Sequence, residues 1–184
     1  MIIQNNFKTI TFSVFFAEQK NQKTDMYRFL LSNVLLKTND EYKTAKLFSR
    51  ALENHYDAYF GVQNFDIKNY HVLMYNFTFV HPSYVDEKNF FEQSFNFFYK
   101  TIFQRKIISE EVFQYEKRKI TEYYESILDN KNTYARERFF NEFYRNEKNY
   151  KQKLKALKSI TLNDIYNYYN ELFETNIIDY YISG

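Results

Sequence analysis

The part of this sequence that comes nearest to a catalytic pattern is a stripe of three residues that lacks every reactive group. Phe29, Ser32 and Asn33 stand at positions i, i+3 and i+4, which places them on one face of a helix. Two metal ligands four residues apart, with a carboxylate between them, turn this spacing into a zinc site. Phenylalanine, serine and asparagine supply neither imidazole ligands nor a general base, so the stripe by itself predicts no chemistry.

The remaining reactive side chains are too scattered to predict an active site. The sequence has three histidines, His55, His71 and His81, and no cysteine, which excludes thiolate chemistry and disulfides. None of the histidines has a second histidine or a carboxylate at the i+3 or i+4 spacing of a helical metal site. Glu122 and Glu125 share a helical face, a pattern typical of a solvated surface. We predict no catalytic residue, metal or cofactor, and only a histidine cluster assembled by the tertiary fold stays open.

Length and composition predict one soluble domain. The chain has 184 residues with 21 Phe and 19 Tyr, enough apolar surface for a core without disulfides or metal. No apolar run approaches the length of a membrane span, and the N-terminus has no signal-peptide pattern. The net charge of +2 demands no acidic partner. We expect a single domain over residues 1–184, a cytoplasmic location and no membrane partner.

Four segments have the patterns of strands. From Lys8 to Phe16, apolar and polar residues alternate with the period of a half-buried strand. Two β-rich runs, 58–67 and 70–80, flank Lys68 and Asn69, a two-residue connection suited to a hairpin. The run from Asn176 to Ser183 predicts a closing strand.

Helical periodicity fills the segments between these strands. Tyr27 to Lys37 is the helix that carries the stripe, and a helix after Glu87 has a predicted core face of Phe91, Phe95, Phe98 and Ile102. Helix starts are predicted at the N-caps Thr44, Ser109 and Thr133, and at Thr161, which forms an acidic capping box with Asp164. The order of elements predicts an α+β fold, with a mainly antiparallel sheet and helices packed on one face.

The segment from Arg136 to Lys158 is locally basic and interleaves cations with aromatic residues, as single-strand nucleic-acid binders do. Its aromatic residues also have helical core spacing: they are Phe139, Phe140, Phe143 and Tyr144. An amphipathic helix running from Tyr134 to about Glu147, with a solvated basic face, is therefore the favoured interpretation. Binding of nucleic acid remains the alternative.

Several segments, in this order, resemble one domain of the insulinase/pitrilysin family of zinc metallopeptidases, the inverted zincins. The segments that carry the resemblance are FKTITFSVFF, FLLSNVLLKTNDEYKTAKLFSRALENHYDAYF, NYHVLMYNFTFVHP, EKRKITEYYESILDNKNTYARERFFNE and SITLNDIYNYYNELFETNIIDYYISG. Together they cover nearly the whole chain. The likeness is to the bacterial members that have lost the metal.

The resemblance implies that the stripe occupies the position of a zinc-binding motif. Active members carry His-x-x-Glu-His on the helix after the first strand, and this motif falls here on the segment from Phe29 to Asn33. Phe29, Ser32 and Asn33 then occupy the degenerate zinc-motif positions. The distal glutamate that completes the zinc site falls at Glu122 or Tyr123. Without imidazoles there is neither zinc affinity nor an activated water, so the resemblance implies an inactive domain.

The predicted function follows from that resemblance. We expect a non-catalytic pseudo-peptidase domain that contributes a protein-interaction or peptide-cradling surface. The implied partner is a homologous peptidase domain, active or inactive, on the same longer chain or on a separate subunit, and a peptide substrate is a further implied ligand. The alternative is a basic nucleic-acid-binding α+β module that uses the segment from Arg136 to Lys158. Nucleic acid is the less favoured partner class, because basic patches at this pI are common and the sequence has no RNA-binding or helix-turn-helix signature.

Overall fold

The structure is a computed structural model that describes residues 7–21, 23–105, 107–143 and 149–184. The strands in these ranges are β1 (Thr9–Gln19), β2 (Tyr59–Ile67), β3 (Tyr70–Val80) and β4 (Ile177–Ser183). The helices are α1 (Asp25–Leu35), α2 (Ala45–Asn54), α3 (Phe90–Phe103), α4 (Glu110–Glu125), α5 (Lys131–Phe143), α6 (Tyr150–Ser159) and α7 (Leu162–Thr175). Short 3₁₀ turns cover Pro82–Tyr84 and Ser126–Asp129.

The four strands form an antiparallel sheet in the order β2-β3-β1-β4. The predicted hairpin is confirmed, because β2 and β3 pair from Ile67 and Tyr70 outwards around Lys68 and Asn69. The first strand begins one residue later and ends three residues later than predicted, at Gln19, so it is two residues longer. Within the described ranges, β2 and β4 each pair with a single strand and form the two edges of the sheet.

The two faces of the sheet differ in polarity because side chains alternate along each strand. On one face, Phe12 lies opposite Phe77 and Val14 opposite Tyr75, and all four side chains are buried beneath the helices. On the other face, Thr11 bonds Thr78 through their hydroxyls at 2.8 Å. The predicted α+β fold, with helices on one face of a mainly antiparallel sheet, is confirmed.

The helix starts were mostly predicted correctly from local hydrogen-bonding groups. Thr44 and Ser109 accept the amides of Leu47 and Val112, and Thr161 and Asp164 form the expected reciprocal box. The N-cap predicted at Thr133 is wrong. The 3₁₀ turn leads straight into α5, and Asn130 Oδ1 accepts the Asn132 and Thr133 amides at 3.1 Å, so the helix begins two residues before Thr133.

The predicted core face of α3 is half right. Phe98 and Ile102 are buried, but Phe91 and Phe95 remain 41% and 42% exposed, and the core receives Phe90 and Phe97 instead. Aromatic residues occupy more than one stripe of this helix, so periodicity cannot select the buried one. Among the described helices, none is long and apolar enough to cross a membrane.

A buried ion pair connects the sheet to its helices. Arg28 on α1 is 4% exposed, and its Nη2 lies 2.9 Å from Oε1 of Glu18 at the end of β1. The same carboxylate oxygen accepts the Tyr168 hydroxyl of α7 at 3.0 Å and the Thr24 hydroxyl at 2.9 Å. Arg28 Nη2 also donates to Asn176 Oδ1, at the start of β4, at 3.3 Å. Each charge is thus satisfied by several partners, as burial requires.

Replacing Arg28 should therefore destabilise the protein strongly. We expect Arg28→Met to lower the free energy of unfolding by about 3–5 kcal/mol, because Glu18 is left buried without its cation. Urea denaturation followed by circular dichroism measures the change.

The exposed pair of Arg118 and Glu122, 3.9 Å apart, provides the control. Arg118→Ala should change the unfolding free energy by less than about 0.5 kcal/mol. If Arg28→Met proves too unstable to purify, Glu18→Gln is the milder test, and a loss no larger than that of the control would contradict the assigned role.

Candidate functional site

Helix α1 positions the degenerate stripe. Its core face, made of Leu30, Leu31, Val34 and Leu35, is almost completely buried, against α4, α6, α7 and β2. Arg105 at the end of α3 holds its C-terminal end by donating to Thr38 Oγ1 at 3.3 Å and to the Leu35 carbonyl at 3.5 Å. Burial lowers the pKa of Arg105 to about 10. These contacts fix the rotation of α1 about its axis, and they therefore fix the side of the helix on which the stripe lies.

The three stripe residues are engaged locally. Ser32 is fully buried, and its hydroxyl donates to the Phe29 carbonyl at 2.8 Å. Asn33 Nδ2 donates to the same carbonyl at 2.8 Å, while the Phe29 ring is 38% exposed. Both polar side chains thus bond back to their own helix, a common use of Ser and Asn inside helices.

This donor set does not fit zinc. A catalytic zinc site needs three nitrogen, sulfur or carboxylate ligands and one open position, and Phe29 has no donor atom at all. The Ser32 hydroxyl and the Asn33 amide are weak ligands already used in hydrogen bonds. Across the described ranges, no group of three or more His, Asp or Glu residues is arranged to hold a metal ion. That Phe29, Ser32 and Asn33 mark a lost zinc site stays a prediction.

The predicted distal positions lie on the outer surface of α4. Glu122 is exposed and forms an ion pair with Arg118 on the same helix. Tyr123 is 44% exposed, and its ring contacts that of Tyr124 at 5.3 Å. Neither residue has a described hydrogen bond to the stripe, so the fold does not join the predicted distal position to α1 through polar contacts.

Sequence reasoning missed the buried carboxylate of α4. Glu116 has no exposed surface, and neither carboxylate oxygen has a hydrogen-bond partner. The nearest cation, Lys119 Nζ, is 3.6 Å away, outside hydrogen-bond range. Glu116 lies between Val112 and Ile120 at i+4 spacing, on the face of α4 that is buried. That spacing, a carboxylate inside an apolar stripe, was the signal available in the sequence.

The stripe borders one edge of the sheet. Asn64 of β2 is exposed, and its Nδ2 donates to the Ser32 hydroxyl at 3.1 Å. Within the described ranges, β2 pairs only with β3, so the outer backbone of β2 lies beside α1 without a strand partner. An unpaired edge of this kind can accept an extended peptide as an additional strand.

The histidines do not converge on one another. His55 Nδ1 lies 2.7 Å from the Ala51 carbonyl, and His81 Nδ1 lies 2.8 Å from Ser83 Oγ. His71 of β3 instead bridges two carboxylates: its Nε2 is 2.9 Å from Asp25 Oδ1 at the start of α1, and its Nδ1 is 2.5 Å from Asp66 Oδ1 on β2. This contact fastens the hairpin to the first turn of α1.

The aromatic residues of α5 are on the surface. Phe139, Phe140 and Phe143 are 62%, 43% and 68% exposed, and no described residue of α5 is buried. The prediction that they face the core is therefore wrong, and Tyr144 and Glu147 lie outside the described residues. Helical spacing was correct, and the main neighbour of α5 among the described elements is the 3₁₀ turn Ser126–Asp129. The Phe139 and Phe143 rings instead stack on each other at 5.9 Å.

Comparison with known proteins identifies the class of fold. A conserved protein from Enterococcus faecalis V583 superposes with a TM-score of 0.84 at 25% identity, covering 96% of this chain and 43% of that one. A protein described as an M16-like peptidase from Alicyclobacillus acidocaldarius gives a TM-score of 0.63 at 15% identity over 96% of this chain and 41% of that one. The inactive peptidase domain of a Bordetella parapertussis protein described as a zinc protease gives 0.66 at 9% identity, covering 99% and 95% of the two chains.

The chain therefore has the fold of an M16-like, insulinase/pitrilysin-type peptidase domain. It spans less than half the length of the Enterococcus and Alicyclobacillus proteins. No protein-family model matches the sequence, and no curated protein sequence matches it.

The His71 bridge should make stability depend on pH. The hydrogen bond to Asp25 raises the pKa of His71 above its usual 6.5, against the lowering effect of partial burial, and Asp66 raises it further. The folded state therefore favours the protonated imidazole. The stability that this protonation adds to the fold is fully present below about pH 6.5 and is lost as the pH rises through the raised pKa.

His71→Gln tests this dependence. The difference in melting temperature between the wild-type protein and the variant should be largest near pH 5.5 and should shrink towards pH 8.5. Differential scanning calorimetry at several pH values measures it. A difference that is constant across this range would show that protonation of His71 does not contribute.

Proposed function

We propose that this chain is a non-catalytic domain of the M16 peptidase-like fold that contributes an interaction or peptide-cradling surface. The observation that carries the proposal is the state of the stripe on α1. Phe29 has no ligand atom, and Ser32 and Asn33 are bonded to their own helix. A domain with this fold and no ligands on that helix can bind but has no group to activate water.

The cradle that we propose runs between α1 and the edge of β2. Asn64 is exposed although it contacts buried Ser32, so the helix and the strand edge border the same open surface. An extended peptide paired to β2 would form backbone hydrogen bonds, and its alternate side chains would face the Phe29 ring. Phe29 in this position supplies apolar contact where an active enzyme would require a ligand.

The partner that we propose is a homologous peptidase domain, on the same longer chain or on another subunit. Two considerations support it. The Enterococcus and Alicyclobacillus proteins, which match over most of this chain, extend to more than twice the matched length. A separate inactive domain of matching length also occurs in a zinc protease. We take residues 1–184 as one such domain. Any peptidase activity of the assembly would then depend on a partner that carries an intact zinc motif.

The test is a metal and activity assay with a restored variant. After incubation with excess zinc and dialysis, the wild-type chain should retain far less than one zinc per molecule and should not cleave an unfolded polypeptide. The variant Phe29→His/Ser32→Glu/Asn33→His/Tyr123→Glu should gain zinc if these are the ligand positions, since imidazole and carboxylate donors supply the affinity.

The matched control carries Arg118→Glu instead of Tyr123→Glu, so it adds the same number of glutamates to α4 but has no carboxylate at position 123. Tight, stoichiometric zinc or hydrolysis by the wild-type chain would refute the proposed function. Gain of zinc by both variants would refute only the assignment of position 123.

Nucleic-acid binding is retained as a second candidate because α5 exposes aromatic rings. Phe139, Phe140 and Phe143 stand next to Arg136 and Arg138, and exposed rings among cations can stack bases. The opposing observation is that Arg138 pairs with Glu142, 3.6 Å away, so the surface has mixed charge.

A salt titration separates this candidate from the first. If α5 binds nucleic acid, a fluorescent single-stranded RNA should bind at low salt, weaken steeply as salt rises, and lose affinity roughly tenfold or more in Phe139→Ala/Phe143→Ala. We expect no binding at low salt, as the proposed peptidase-like role requires none. Measurable anisotropy change in the wild-type protein, lost in the double variant, would favour the nucleic-acid function.

A further inference from the structure

The edge strand β4 lacks the features that keep sheet edges from pairing. Natural edge strands are protected by lysine, proline, bulges or a covering element. The segment Ile177–Ser183 contains neither lysine nor proline and carries one charge, on Asp179. Tyr180, Tyr181 and Ile182 are 66%, 59% and 60% exposed. Its register with β1 continues without a bulge from Ile177 to Ser183, so a straight, apolar strand edge faces outwards.

An aromatic stripe of α3 lies beside this edge and extends its apolar surface. The Phe95 and Tyr99 rings stack at 6.1 Å, Tyr99 and Phe103 stack at 5.3 Å, and Phe103 contacts Tyr180 at 5.8 Å. Phe95 and Tyr99 are 42% and 40% exposed. We call the edge of β4 together with these rings the β4 surface. Contiguous exposed apolar patches of this kind mark interaction sites.

The other edge of the sheet is different. β2 exposes Tyr59 and Ile67 at its two ends but carries the polar residues Gln63, Asn64 and Asp66 between them, and Asp66 is paired with Lys20 at 2.7 Å. Such an edge is polar enough to stand in water by itself. Of the two edge strands, β4 is therefore the one for which exposure to water without a strand partner is less favourable.

We propose that the β4 surface binds a second copy of this chain, with the two β4 strands pairing antiparallel about a two-fold axis. Charge and length select the register. Centring the axis on Tyr180 pairs all seven residues from Ile177 to Ser183, places Ile178 opposite Ile182, and places Asp179 opposite Tyr181. Centring it on Asp179 sets two carboxylates directly opposite each other, which is unfavourable.

The resulting assembly is closed and isologous. The sheet of described strands continues across the axis in the order β2-β3-β1-β4-β4-β1-β3-β2, and the helices of both copies lie on the same face. Ile178, Tyr180 and Ile182 point to the helical face, since they are opposite Phe16, Val14 and Phe12 of β1. The α3 stripes then flank the seam and bury Tyr99 and Tyr180. This inference goes beyond the proposed function, because it needs neither peptide nor peptidase partner.

Sedimentation equilibrium of the 184-residue chain tests the pairing. We expect a concentration-dependent monomer–dimer equilibrium with no larger species. Tyr180→Lys places two ammonium groups opposite each other on the axis and removes two buried rings, so the dimer dissociation constant should rise roughly tenfold or more. Ile67→Lys is the matched control on the β2 edge, where Ile67 is 53% exposed, and it should leave the dissociation constant unchanged.

Tyr181→Lys tests the register by an expected decrease in the dimer dissociation constant, opposite to the increase expected for Tyr180→Lys. In the register centred on Tyr180, each introduced ammonium group faces Asp179 of the second copy, so the dissociation constant should fall roughly two- to tenfold at low salt and lose this gain at high salt. Circular dichroism melts confirm that each variant is folded.

Four outcomes would overturn the proposal: a monomer at every concentration, species larger than a dimer, equal weakening by Ile67→Lys, or weakening by Tyr181→Lys. A monomer that nevertheless pairs through β4 with an added extended peptide would assign the surface to that occupant. None of these results bears on zinc or hydrolysis, so the proposed function stands or falls separately.

Discussion

The buried pair of Arg28 and Glu18 is the interaction on which the placement of the other elements depends. Glu18 lies near the end of β1, Arg28 belongs to α1, and Tyr168 of α7 donates to the same carboxylate oxygen. A charge removed from water is tolerated only when several partners replace the lost hydration. The pair therefore fixes one relative position of sheet and helices, and Asn176 brings the start of β4 into the same contact. The direction of the stripe on α1 follows from this arrangement.

The contacts that hold α1 are separate from the side chains at the predicted zinc-motif positions. The contacts that orient α1 come from Arg28, Arg105 and the apolar core. None of them involves the side chains of Phe29 or Asn33. These orienting contacts are thus independent of two of the three predicted motif positions. Ser32, the third, contacts β2 through Asn64 and so contributes to the structure.

The two edges of the sheet provide different surfaces because their sequences differ. β2 lies beside the stripe and is polar, whereas β4 lies beside the α3 rings and is apolar. Main-chain groups at both edges have the same hydrogen-bonding capacity, and the flanking side chains decide which partner is favourable. The two proposals therefore assign different partners to the two edges: an extended peptide at β2 and a second copy at β4.

The sequence alone determined the local elements. Period-2 alternation predicted β1, the Lys68–Asn69 connection predicted the hairpin, and side-chain oxygens at Thr44, Ser109 and Thr161 predicted helix starts, because each depends on residues only a few positions apart. The lack of imidazole and carboxylate groups at Phe29, Ser32 and Asn33 was also evident from the residue types. The resemblance to inverted zincins led to the correct fold for the same reason, since it rested on the order of such elements.

Only the tertiary structure decided which faces are buried and which distant groups meet. It placed the phenylalanines of α5 on the surface, buried Glu116, and joined His71 to Asp25 and Asp66. Helical periodicity identifies an apolar stripe, but whether that stripe is covered depends on elements far away in the sequence. In the same way, β4 and α3 are separated by more than seventy residues, and the continuous aromatic surface they form could be recognised only after the chain had folded.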